Sequence, residues 1–408
     1  MAKIHLWPEV PNIIDDLIHV STTIETTNQS KFNLWYRFPI KYQDCLTDSC
    51  DPFVIATIFL AMSQGCDLIV HGQVSPSLLD NLNEFQLAWS SWKPKIYQKI
   101  NITADVEKET KKNLEQEVAI SAFSGGVDSC FTALCNTKGI NLENKKNLQA
   151  CLMVHGFDIP IKQQEVFARA FLTSQRITAS LGLELIPMAT NFRQVIKLNW
   201  EDVHGVAIAS CFYLLTKMYN TGIIASSYSS FDLKGYNINT LPSSYSHKNA
   251  HLAWGTNPLT DLFLSSNSLK IVDHGDGYSR LQKIEQMLDW QEFLENLRVC
   301  WQGERKDVNC GHCEKCIRTI LCFRALGYGL PPCFEEDITD REILNLKLRD
   351  YHISEMENLI THIKITQPGI LSSSWLKTLQ KTIKRNRILD FFDKKITFQV
   401  KQFIRQFR

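Results

Sequence analysis

Between Val118 and Gly275 short apolar runs alternate with amphipathic segments, and this alternation limits the fold more than any other feature of the chain. VAISAF (118–123), LQACLMVHG (148–156), LELIPMAT (183–190), TGIIASS (221–227) and LKIVDHG (269–275) have the length of strands, and Lys162–Leu181 and Gly205–Tyr219 between them carry helical spacing. Strands that are apolar along their whole length are buried on both faces. The expectation is an α/β fold, a parallel sheet with helices on both faces of the Rossmann-like kind. Such sheets bind ligands beyond the carboxyl ends of their strands.

The flanks differ in character. A length of 408 residues accommodates two or three domains. Residues 1–115 read as an accessory α/β region. IHVSTTIETT and KFNLWYRFPI are extended; DPFVIATIFLAM is a helix capped by Asp51, and SPSLLDNLNEFQLAW one capped by Ser75. DVEKETKKNLEQE reads as a solvated connector into a core domain over 116–330. Residues 331–408 form a helical extension. From Leu376 to Arg408 ten Lys and Arg face two Asp, a charge of +8, although the whole chain sums to +1. Overall neutrality excludes a protein that coats nucleic acid through bulk charge, and leaves the basic C-terminal tail as one surface that nucleic acid could meet. The tail's aromatic residues (Phe391, Phe392, Phe398, Phe403, Phe407) repeat near helical spacing and suit packing on the body or a partner.

The sharpest short motif is Ser124-Gly125-Gly126-Val127-Asp128-Ser129, directly after the strand ending at Phe123 and before the helical CFTALCN. Glycines let the backbone turn tightly and approach an anion with no Cβ in the way. The helix start supplies unpaired N–H groups and a positive dipole end, which make a phosphate cradle. Ser124 and Ser129 add hydroxyls. Asp128 would repel a bare phosphate, so it either holds a metal ion on the phosphates or caps the following helix. No Gly-Lys-Ser/Thr follows, so this is not a Walker loop.

The second cluster is Cys310-Gly311-His312-Cys313-Glu314-Lys315-Cys316 with Cys300 upstream. Four thiolates at this spacing suit one tetrahedral Zn²⁺ with no open position, a structural site. A redox dithiol, or His312 in place of one thiol, are the alternatives. The other nine of the thirteen cysteines are scattered and read as small core side chains. The opening MAKIHLWPEV lacks a signal-peptide pattern, and the longest apolar stretches are half a membrane span. A cytoplasmic chain with no membrane partner is the expectation, and clustered thiols there favour metal over disulfides.

The glycine motif resembles the PP-loop of the N-type ATP pyrophosphatases, SGGxDS. Together with the C-x₉-C-G-H-C-x₂-C cluster it resembles the 7-cyano-7-deazaguanine synthases, the QueC-like family, over about residues 116–330. Phe157-Asp158 stands where that family has Phe-Asp, and Lys283 with Glu285 where it has Lys-x-Glu. The resemblance implies that Phe123, Ser124, Gly125, Gly126, Asp128 and Ser129 hold ATP with Mg²⁺, and that Asp158, His204 and Gly205 add to the nucleotide site. It also implies that Asp128 and Lys283 act in catalysis, and that a structural Zn²⁺ sits on Cys300, Cys310, Cys313 and Cys316. Two stretches depart from the short synthase: Trp200-Glu201-Asp202-Val203-His204-Gly205 replaces a Pro-Gly-Arg-Asn stretch, and Trp254-Gly255-Thr256-Asn257-Pro258-Leu259 has no counterpart.

With the added N- and C-terminal regions, the chain resembles the longer QueC-like proteins of bacterial anti-phage defence. The implied activity is ATP-dependent adenylation of the carboxylate of 7-carboxy-7-deazaguanine and its transfer to an amine, an AMP-forming carbon–nitrogen ligation onto a partner protein. The alternatives are a synthase that uses ammonia and ends at the nitrile, a tRNA-modifying PP-loop enzyme, and a subunit that only binds nucleotide. Several single residues stay open between roles. Lys283 is a phosphate-neutralising cation or a solvated helix lysine. His204 is a ribose contact, a base, or a capping or core histidine. Asp273, His274 and Asp276 stand at a strand end where ligands bind. Trp254 stacks on a base or packs in the interior.

Overall fold

The computed structural model describes residues 2–110, 115–139, 145–226 and 253–389. The chain divides into two compact units, residues 1–124 with 128–277 and residues 125–127 with 278–408.

The first unit is α/β. Among the described residues its strands are β1 (Lys3–Pro8), β2 (Asn12–Ile14), β3 (Leu17–Glu25), β4 (Lys31–Pro39), β5 (Asp67–Val74), β6 (Ile102–Glu107), β7 (Ala119–Ala122), β8 (Leu148–His155), β9 (Glu184–Thr190), β10 (Thr221–Ala225) and β11 (Lys270–His274). They form one sheet in the order β11-β10-β7-β8-β9-β4-β3-β1-β5-β6, with β2 beside β3. The pairs from β11 to β9 are parallel, as are β1 with β5 and β5 with β6. The pairs β9–β4, β4–β3 and β3–β1 are antiparallel and join the two parallel sets. The sheet is thus large, mostly parallel and flanked by helices.

Those helices are α1 (Asp51–Gln64), α2 (Pro76–Trp92), α3 (Val127–Lys138), α4 (Gln164–Ser180), α5 (Phe192–Val195) and α6 (Trp200–Tyr213). Alternation along β3 and β4 turns Ile18, Val20 and Ile24 with Leu34, Tyr36 and Phe38 into the main core. Every residue of α1 from Asp51 to Met62 is buried, which explains why that run is apolar all round. No described helix is long and apolar enough to cross a membrane.

Local details depart from the sequence-based expectation. Asp51 lies in the first turn of α1, after the cap position; its buried carboxylate accepts the backbone N–H (2.9 Å) and hydroxyl (2.7 Å) of Ser75. Ser75 stands at the N-cap of α2, but its hydroxyl serves that carboxylate in place of the helix end. Burial pushes the Asp51 carboxyl above its ordinary pKa. The opening DVE of the expected connector completes β6. Helix α6 begins five residues before Gly205, because the Asn199 side chain accepts the Glu201 N–H and starts it there. Asp202 then holds this helix start through Lys93 (2.5 Å) and Tyr97 (2.8 Å), both from the N-terminal region.

The second unit is helical among its described residues: α7 (Arg280–Glu285), α8 (Gln291–Asn296), α9 (Glu314–Ala325), α10 (Asp340–Asn345), α11 (Asp350–Thr366) and α12 (374–389). Part of the basic face of α12 is spent on packing. Arg385 donates to the carbonyls of Leu344 and Leu346, and Arg387 pairs with Glu357 at 2.5 Å. The tail aromatics Phe391, Phe392, Phe398, Phe403 and Phe407 lie outside the described residues.

Candidate functional site

In the parallel set β11-β10-β7-β8-β9, the chain runs outward from β7 through β8 to β9 and then returns to β10 on its other side. The strand order therefore reverses at β7, and open α/β sheets bind ligands in the crevice outside such a reversal. The glycine motif stands there. Phe123 extends β7 by donating its N–H to the Leu152 carbonyl (2.8 Å), and α3 starts four residues later. Gly125 takes φ +74°, a left-handed conformation that favours glycine. The Ser124 N–H donates to Ser129 Oγ (3.3 Å) and the two hydroxyls lie 3.4 Å apart, so the serines close the loop from both ends. Asp128 occupies the first turn of α3, half-buried, where a carboxylate suits the helix dipole.

A second group of candidates converges near the carboxyl ends of β8 and β9. The Phe157 ring lies 5.2 Å from Trp200 and 6.3 Å from Phe192. Arg193 donates to the Phe157 carbonyl (2.8 Å) and stacks over Trp200 at 4.7 Å. His204, one turn along α6, stands 6.0 Å from Trp200 and 5.6 Å from Trp254. Asp158 is close enough to favour the charged form of His204, yet burial wins and its pKa is lowered. His204 Nδ1 faces the Trp200 carbonyl (3.0 Å), so the proton sits on Nδ1 and Nε2 accepts from the Thr256 hydroxyl (3.2 Å). Phe157, Asp158 and His204 are thus brought together. Phe192 and Arg193 belong to the same group and went unnoticed in the sequence, where nothing marks a short helix after β9.

Gly205 and the 254–257 loop fit each other closely. A Cβ on Gly205 would lie 1.8 Å from the Gly255 carbonyl oxygen, and one on Gly255 would lie 2.4 Å from His204 Nδ1. Asn257 fixes the loop, accepting the N–H groups of Leu259 and Thr260 and donating to the Trp254 carbonyl. Gly205→Ala is expected to cost about 2 kcal/mol or more, the penalty of overpacking against backbone. Urea denaturation checks it; a midpoint equal to that of the unaltered chain would show that α6 shifts freely.

His274 ends β11 and meets α3 through Thr132 Oγ1 (3.1 Å). Asp261, fully buried, has its pKa pushed well up by burial and by Asp273. Asp276 is half-buried in the turn beyond β11.

In the second unit the sulfurs of Cys300, Cys310, Cys313 and Cys316 all lie within 4.8 Å of one another. Cys300–Cys313 is 3.8 Å and Cys310–Cys316 is 4.0 Å. Four sulfurs at zinc–thiolate distance in a tetrahedron stand about 3.8 Å apart. Backbone N–H groups of Gly303, Cys313 and Cys316 point at Cys300, Cys310 and Cys313 sulfurs. Gly311 turns the knuckle at φ +77°. The cluster can hold a metal such as zinc. His312 points away, to Glu342 (2.5 Å). No disulfide occurs among the thirteen cysteines.

The knuckle connects to the glycine loop within the same unit. Asn309 accepts the N–H groups of Val299 and Cys300 and donates to the carbonyls of Leu297 and Cys333. Two residues before Cys300, the Arg298 N–H donates to the Gly125 carbonyl (2.8 Å). Lys283, on α7, is 2% exposed, so it is no solvated lysine; a buried ammonium requires facing acceptors. Glu285 is exposed. No protein-family model matches the chain, and neither a curated protein nor a solved structure matches it.

Proposed function

We propose that the chain is an ATP pyrophosphatase of the PP-loop kind that adenylates the carboxylate of 7-carboxy-7-deazaguanine and delivers the acyl group to an amine of a partner protein, as in the longer QueC-like proteins of anti-phage defence. The observation that carries this reading is the Ser124–Ser129 loop at the strand-order reversal of a parallel sheet, with a left-handed glycine and a helix start behind it.

In this reading a carboxylate oxygen attacks the α-phosphorus of ATP and pyrophosphate leaves. The amine nitrogen then attacks the acyl carbon, AMP departs with the C–O bond pair, and the nitrogen loses a proton to give an amide. The α3 N–H groups and the Ser124 and Ser129 hydroxyls hold the pyrophosphate portion. Mg²⁺ would neutralise phosphate oxygens and leave the α-phosphorus more electrophilic, with Asp128 as its carboxylate ligand. Phe157 and Trp200 offer faces for a flat heterocycle, and Arg193 a cation for its carboxylate. The metal at the four thiolates would be structural, since four protein ligands leave no open position.

Mass spectrometry separates the acceptors. Reactions with ATP and 7-carboxy-7-deazaguanine are run with ammonia, with tRNA, or with the products of neighbouring genes. A partner protein heavier by one acyl group is expected. A nitrile formed from ammonia alone places the enzyme with the short synthases, and label on tRNA with the RNA-modifying ones.

A further inference from the structure

A cavity of about 290 Å³ opens on the first unit between β4, β9 and the start of α4, on the opposite side of the sheet from the main core. Its construction follows from register. His19 of β3 stands opposite Arg37 of β4, Arg37 opposite Ala189 of β9, and Ala189 beside His155 of β8, so one row crosses four strands on one face. The small Ala189 in the middle of that row leaves the space. Trp35 and Arg37, two apart on β4, wall one side, and His155 and Phe167, stacked at 4.5 Å, wall the other.

The lining is mostly apolar, with His155 and Gln164 as polar neighbours and Arg37 as its one charged residue. Arg37 stacks on Trp35 at 4.3 Å but has no acidic partner among the described residues, and its Nε is buried without a hydrogen bond. Its cross-strand neighbour His19 likewise has a buried Nε2 without a partner. Burial and the adjacent guanidinium lower the pKa of His19, which favours the neutral imidazole and leaves Arg37 as the positive charge of the row. The first turn of the 17-residue α4, which also carries the exposed Glu165, lines the cavity through Gln164 and Phe167, and its N-cap residue Gln163 makes no side-chain cap bond. A half-buried guanidinium with a buried, unbonded Nε, next to a helix N-terminus and an aromatic-lined space, suits an anion.

We infer that this cavity binds a small planar aromatic carboxylate, its ring against Trp35 and Phe167 and its carboxylate on Arg37. The inference does not rest on the adenylation reading, and the residues concerned are separate from those assigned to ATP.

The test is calorimetric titration of the full chain with indole-3-carboxylate and with the neutral isostere indole-3-carboxamide. The carboxylate is expected to bind about tenfold or more tightly than the amide, the gain of a charge-assisted hydrogen bond. Arg37→Met should erase that difference while leaving amide binding and the melting temperature unchanged, and Ala189→Leu should block both ligands by filling the space. Equal affinity for the two ligands overturns the inference. So does carboxylate binding that survives Arg37→Met, or no heat with either ligand up to about 5 mM, beyond the weak end of specific affinity.

Discussion

Asp128→Ala is expected to abolish pyrophosphate release from ATP while the chain stays folded. The carboxylate stands in the first turn of α3, half-buried, with one residue between it and the glycine pair. As a helix-dipole partner alone it contributes about 0.3–1 kcal/mol, too little for its loss to unfold a chain of this size. As the ligand of a cation on the ATP phosphates, its loss removes charge stabilisation at the reacting phosphorus, and turnover should fall by about 10³-fold or more. The two roles therefore separate in one variant. Circular dichroism and urea denaturation report the first, and a coupled pyrophosphate assay the second. Ser124→Ala, which removes one hydroxyl and keeps the turn, should cost about tenfold. Near-normal release from the Asp128 variant would sink the loop assignment.

Removal of the metal from the four thiolates is expected to have the second largest effect. Cys313→Ser, or chelation of the intact protein, should release one equivalent of zinc, measured by elemental analysis. It should also expose the backbone of residues 298–326 to hydrogen exchange. Structural zinc contributes about 10 kcal/mol or more to small domains, and the knuckle ties down residues 298–313, which have no helix or strand, at the start of α9. The consequence reaches the glycine loop. The Arg298 N–H that holds the Gly125 carbonyl lies two residues from Cys300 on a stretch stapled by Asn309. ATP turnover should therefore fall together with zinc content. His312→Ala should leave zinc in place, because that ring faces Glu342. A Cys313→Ser protein that is metal-free, stable and active would refute the structural role.

These expectations rest on parts of the chain whose sequence carries a local signal. The strand at 118–123, the glycine pair and the start of α3 follow one another in sequence, so the loop is legible without the fold. The three closely spaced cysteines are equally local, and only Cys300 had to be brought from ten residues upstream. Contacts between distant segments were not legible. The β4–β9 pairing that joins the antiparallel strands to the parallel set depends on backbone hydrogen bonds, which no residue type announces. Its side-chain marks, Asn191 reaching the Trp35 N–H and the Asn33 carbonyl and the Thr190 hydroxyl reaching the Trp35 carbonyl, look like ordinary strand-end residues. The partners of Asp202, Lys93 and Tyr97, lie more than 100 residues away in sequence. Gly205 shows the same limit. The resemblance assigns it to the nucleotide site; that its absent side chain also admits the Gly255 carbonyl could be read only from the fold. Lys283 illustrates the reverse, since a lysine in a short polar helix gives no sign from sequence that its side chain is buried.

Cleavage of ATP between its α- and β-phosphates, to activate a carboxylate, is the step on which the proposed function depends. The most direct measurement is a product analysis of ATP incubated with the chain, 7-carboxy-7-deazaguanine and an amine donor. AMP and pyrophosphate in equal amounts, dependent on the carboxylate and absent with Asp128→Ala, are predicted. ADP and phosphate as products, or AMP formed equally well without the carboxylate, would contradict it.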